Sequence, residues 1–83
     1  MELIDSFRQE GTPPVYTFVF DDYDRQTGRF VMLKMPDGPR WGQGYYMMGE
    51  YHPGEANEHL GQRVLKHELG RVVVERLITR LPY

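Results

Sequence analysis

The side chains best suited to chemistry in this 83-residue chain are three histidines, His52, His59 and His67, with Glu50, Glu55, Glu58 and Glu68 interspersed. A zinc or similar divalent ion needs three or four such ligands converging at about 2.0–2.2 Å, usually with two of them on a rigid element at i, i+2 or i, i+4 spacing. His59 stands seven positions after His52 and His67 eight after His59, so no pair has that spacing. They read instead as solvated residues of a polar loop. A small metal-dependent enzyme at His52, His59 and His67 is the most remote function to expect.

Covalent catalysis has less to work with. The chain has no cysteine and one serine, Ser6, which no glycine-flanked turn presents. Asp21, Asp22 and Asp24 could divide acid and base roles if their environments differed, but acidic residues at a hairpin tip are ordinarily turn formers. Gly38, Gly42 and Gly44 beside Arg40 would let backbone amides approach an anion. Their arrangement matches neither the P-loop nor the dinucleotide fingerprint, and no helix is expected after them. The expectation is a protein that is not an enzyme, with no cofactor and no metal.

What needs an explanation is a surplus of aromatic and methionine side chains. Trp41, Tyr45, Tyr46, Met47, Met48 and Tyr51 fall within eleven residues. In a strand, Tyr45, Met47 and Tyr51 face one way and Tyr46 and Met48 the other. One helix can cover only one of those faces. The other is left half-exposed, covered by the N-terminal segment, or buried against another molecule, and Tyr, Trp and Met are enriched at the centres of interfaces.

The elements that would position these residues follow from the pattern along the chain. In residues 1–14, Leu3, Ile4 and Phe7 stand at helical spacing before Gly11, Pro13 and Pro14, which is compatible with a short N-terminal helix. Val15–Phe20 is wholly β-branched or aromatic, with Tyr16, Phe18 and Phe20 on one face and Val15, Thr17 and Val19 on the other. Asp24 and Gly28 close a hairpin loop, Gly28 by taking a positive φ, and Phe30–Met35 returns antiparallel. After the Pro36–Pro39 turn, Tyr45–Tyr51 is the third strand, with Gly49 marking a bulge or the end of regular pairing.

Residues 15–51 thus form a β-meander and 52–61 a loop. For 62–83 a continuous helix would enclose Gly61 and Gly70 at about 1 kcal/mol each. A short strand over Gln62–Leu65 followed by a helix from about Glu68 is preferred. Val73, Val74, Leu77, Ile78 and Leu81 share an arc of that helix, opposite Arg71, Glu75, Arg76, Thr79 and Arg80. The expected class is α+β: one small domain with an antiparallel sheet of three to four strands and an amphipathic C-terminal helix packed on one face.

This order of elements resembles the double-stranded-RNA-binding domain, and Pro14-Val15-Tyr16-Thr17-Phe18 looks like that family's first strand. The resemblance implies RNA binding through the start of the last helix, where the family carries a Lys-rich, phosphate-gripping cluster. Here that stretch has Arg63, Lys66 and Arg71, diluted by His67 and Glu68. An RNA adaptor would use Arg63, Lys66, Arg71, Arg76 and Arg80. Charge is indeed asymmetric: residues 1–60 hold five Lys/Arg and ten Asp/Glu, residues 61–83 five and two, within an overall net charge of −2. Basic residues also favour the last turns and solvated face of any helix. Weak, salt-sensitive nucleic-acid binding is the most that this distribution supports.

Length adds a constraint. A domain of this size buries only about 60–65% of its unfolded surface, and without cysteine no disulfide supplements its core. A His/carboxylate metal site or self-association remains as the supplement. The acidic start, Glu2, Asp5 and Glu10, is unlike a signal peptide, and no stretch approaches the roughly 20 apolar residues of a membrane span. The resulting expectation is a cytoplasmic, non-enzymatic protein-interaction module that forms a homodimer, or binds another protein, through Trp41, Tyr45, Tyr46, Met47, Met48 and Tyr51.

Overall fold

The computed structural model of the chain describes residues 2–36 and 44–64. They form a five-stranded sheet: β1 (Leu3–Gln9), β2 (Val15–Asp24), β3 (Arg29–Pro36), β4 (Tyr45–Gly49) and β5 (Gln62–Arg63), in the spatial order β4-β3-β2-β1-β5. Every neighbouring pair is antiparallel. The helical structure among the described residues is a single 3₁₀ turn, Glu58–Leu60.

The β2–β3 hairpin forms where alternation and turn chemistry agree. Asp24 accepts the Gln26 amide on its carboxylate (2.9 Å) and the Gly28 amide on its carbonyl (2.8 Å). Gly28 sits at φ 73°, a conformation that costs a residue with a Cβ. Opposite faces of β2 then feed two clusters. Tyr16, Phe18 and Phe20 pack with Leu33 and Met35 of β3 on one face, while Val19 and Met32 pack with Phe7, Tyr51 and Leu60 on the other. The second face is roofed by residues 50–60. Buried Asn57 shapes that segment, accepting from the His52 amide (2.9 Å) and donating to the carbonyls of His52 and Glu55 (3.0 Å each).

Two expectations are corrected. The α+β class gives way to an antiparallel sheet, since no helix of seven or more residues occurs among the described residues. The helix expected from Glu68 falls on residues outside those described. The N-terminal segment, compatible with a helix in sequence, is β1. Leu3 pairs with Phe20 and Gln9 with Val15, and a register shift between Leu3 and Asp5 interrupts the alternation. Helical spacing of three apolar residues was outweighed by the backbone and side-chain partners β2 offers along its length. With a strand in that place, the order of elements no longer follows the double-stranded-RNA-binding domain.

The short strand before the C-terminal residues does form, as β5. It lies on the far side of β1, pairing Phe7 with Arg63 and Arg8 with Gln62, rather than extending the meander. Gly61 makes that approach feasible: its φ is 104°, and a Cβ there would run into the Arg8 carbonyl. Among the described residues no helix is long and apolar enough to cross a membrane.

Candidate interaction site

β4 lies at one edge of the sheet because its only paired neighbour among the described residues is β3. The register sets Lys34 opposite Tyr45, Leu33 opposite Tyr46, Met32 opposite Met47, Val31 opposite Met48 and Phe30 opposite Gly49. Alternation therefore sends Tyr46 and Met48 to the Phe18 face and Tyr45 and Met47 to the Val19 face. Both faces of the strand stay accessible: Tyr45 is 60% exposed, Tyr46 41%, and Met47 and Met48 40% each. Tyr46 nonetheless has a fixed seat, its ring 6.4 Å from that of Phe20. Pairing ends at Gly49, whose missing Cβ leaves room for the Met32 thioether.

An edge strand presents unpaired amides and carbonyls that can template another strand. Natural sheets blunt such edges with short strands and with charge. The opposite edge does so: β5 has two residues, Gln62 and Arg63. β4 does not, since Tyr45–Gly49 carries no charged side chain. Among the described residues it is apolar on both faces and open along its backbone.

The other residues expected at this site are placed differently. Tyr51 is buried, because the chain leaves the strand after Gly49 and turns the ring inward. The ring meets Phe30 and Phe7 edge-on, at 5.4 Å and 6.3 Å between centroids. Its hydroxyl donates to the Asp5 carboxylate (2.8 Å). Burial, reinforced by that bond, pushes the Tyr51 hydroxyl from 10.0 up to about 12. Trp41 lies outside the described residues.

Of the five basic residues expected to contact nucleic acid, Arg63 alone is described; Lys66, Arg71, Arg76 and Arg80 lie outside. The Arg63 guanidinium is engaged, donating to Asp5 (2.9 Å) and sitting 5.6 Å from the centre of the Phe7 ring. Asp5 also accepts the Ser6 amide (2.9 Å), so a buried carboxylate ties β1 to both Tyr51 and β5. Sequence reasoning passed over Asp5 and Asn57. A lone acid amid Leu, Ile and Phe was the available signal for the first.

His52 and His59 come together despite their spacing, with ring centroids 6.4 Å apart. His52 lies 3.0 Å from Glu50 and 3.7 Å from Glu55, and His59 donates to the Glu50 carbonyl (3.1 Å). No group of three or more His, Asp or Glu among the described residues is arranged to hold a metal ion. His67 is outside them. A shallow depression of about 320 Å³ between Phe7, Asn57, Gly61 and Arg63 is open to solvent, and its one cation is spent on Asp5.

Lys34 is the remaining unusual group. Half-buried on β3, its ammonium donates to Thr17 (2.6 Å) and Gln9 (3.3 Å), both neutral. Burial lowers its pKa.

Compared with protein-family models, curated proteins and solved structures, the chain matches none.

Proposed function

We propose that this protein is a non-enzymatic interaction module that joins the β4 edge to the same edge of a second copy, extending the sheet across a two-fold axis. The observation that carries this reading is the open edge itself: four successive large side chains, each 40–60% exposed, on a strand with no charge. A second copy meets no charge clash at this edge. The chain is net −2, so two copies repel weakly overall, but neither brings a like charge to Tyr45–Gly49. Antiparallel pairing centred on Met47 sets Tyr46 against the partner's Met48, and Tyr45 against the partner's Gly49.

Paired this way, the strand satisfies its outward backbone groups and gives the side chains on both faces cross-strand neighbours that partly cover them. That also supplements a core too small to be secure alone. Two-fold pairing is the commonest geometry for such a contact.

Replacing Tyr46 and Met48 together by lysine tests the reading, since desolvated charge is poorly tolerated at an interface centre. Light scattering at about 100 μM, well above the Kd of a stable dimer, should give twice the 9.8 kDa chain mass for the wild type and the single mass for the variant. A wild-type monomer at that concentration rejects self-association. RNA added at low salt and at about 0.2 M salt serves the adaptor reading, which needs a complex that survives the higher salt.

A further inference from the structure

We propose that Met47 and Met48 form an oxidation site at which peroxide switches the β4 pairing off. This rests on the β4 reading above and names its regulation. Four methionines are described, and burial divides them into two classes. Met32 and Met35 are 1% and 3% exposed, sealed on opposite faces of the sheet, whereas Met47 and Met48 are each 40% exposed. The accessible pair is consecutive in an edge strand, so one thioether lies on each face: Met47 opposite Met32, Met48 opposite Val31. A single oxidising event on each therefore reaches both sides of the pairing surface.

The reaction needs only the side chains and hydrogen peroxide. The thioether sulfur attacks one peroxide oxygen, the O–O bond breaks, an S–O bond forms and water leaves. Sulfur gives up two electrons and peroxide takes them. The product is polar and chiral where the strand was apolar and flexible. In a free chain the new S=O groups are solvated; between two paired edges Met47 meets the partner's Met47, so its S=O loses hydration with no donor opposite it, whereas Met48 meets the partner's Tyr46. Association also shields the sulfurs, so peroxide acts on the dissociated chain and holds it there. The oxide is returned to thioether by methionine sulfoxide reductases.

The experiment treats the full-length protein with graded hydrogen peroxide and reads each sample twice, by peptide mapping and by light scattering over a dilution series. Expected are 16 Da additions at Met47 and Met48 before those at Met32 and Met35, with a dimer dissociation constant raised about tenfold or more. Oxidation at a fixed peroxide dose should also be slower in concentrated than in dilute protein. A Met47→Leu/Met48→Leu variant, compared with its own untreated sample, should show no peroxide response in its dissociation constant. Full oxidation of Met47 and Met48 with unchanged association overturns the proposal, as does oxidation of Met32 and Met35 at the same rate. If the untreated protein is monomeric throughout, it is the dimer reading that fails, and peptide mapping still decides whether Met47 and Met48 are the selective site.

Discussion

Tyr51 shows how one residue can couple a strand to its roof. Its raised pKa means that the folded state holds the phenolic proton more tightly than the unfolded chain, so the linked stability is present below pH 10 and is lost as pH rises from 10.0 towards about 12. Tyr51→Phe removes that dependence. The gap in stability between wild type and variant should be constant below pH 10 and shrink above it, as read from denaturant midpoints between pH 8 and 12; a gap that widens with pH would contradict the assignment. At Gly28 the constraint is in the backbone alone. A Cβ there meets nothing within 4 Å, yet φ is 73°. Gly28→Val should therefore cost about 1–2 kcal/mol, lowering Tm by about 5–15 °C in a domain of this size. An unchanged Tm would leave the turn unexplained.

Among the elements, β5 depends most on a single side chain elsewhere. Two residues pair it to β1, and Arg63 adds the bond to Asp5. The two ends of that bond are unequal, because Asp5 is buried with three partners and the Arg63 side chain is 63% exposed. Asp5→Ala strands the Tyr51 hydroxyl and should cost about 1–3 kcal/mol, whereas Arg63→Ala should cost less than about 1 kcal/mol. Urea midpoints of the two variants check the order, and an equal or reversed ranking would place the anchor elsewhere. The difference also explains what the sequence could and could not reveal. The β2–β3 hairpin was legible because Val15–Phe20 alternates without interruption and Gly28 supplies the turn. β1 was not, because the shift between Leu3 and Asp5 breaks the period of two and sets Asp5 and Ser6 inside, where only pairing to β2 and the Tyr51 and Arg63 donors can justify them. β4 was legible as a strand from its aromatic run. The burial of Tyr51 was not: it keeps to the face of Tyr45 and Met47, but the strand stops at Gly49 and the chain beyond it folds the ring onto Phe7 and Phe30.

At the scale of the molecule, the two edges of the described sheet differ in kind: one is two residues long and bears Arg63, the other is five residues, apolar and uncharged. Pairing β4 with a second copy leaves the short edges outward and the apolar ones joined, which accounts for Tyr45, Tyr46, Met47 and Met48 together. Amide hydrogen exchange followed across protein concentration reads this contact directly, because outward N–H groups on an open edge exchange freely and paired ones do not. Protection at Tyr45–Gly49 should rise as concentration passes from about 1 μM to about 100 μM, while the Asp24–Gly28 turn exchanges at the same rate throughout. Exchange at Tyr45–Gly49 that is independent of concentration would contradict the pairing of β4 edges.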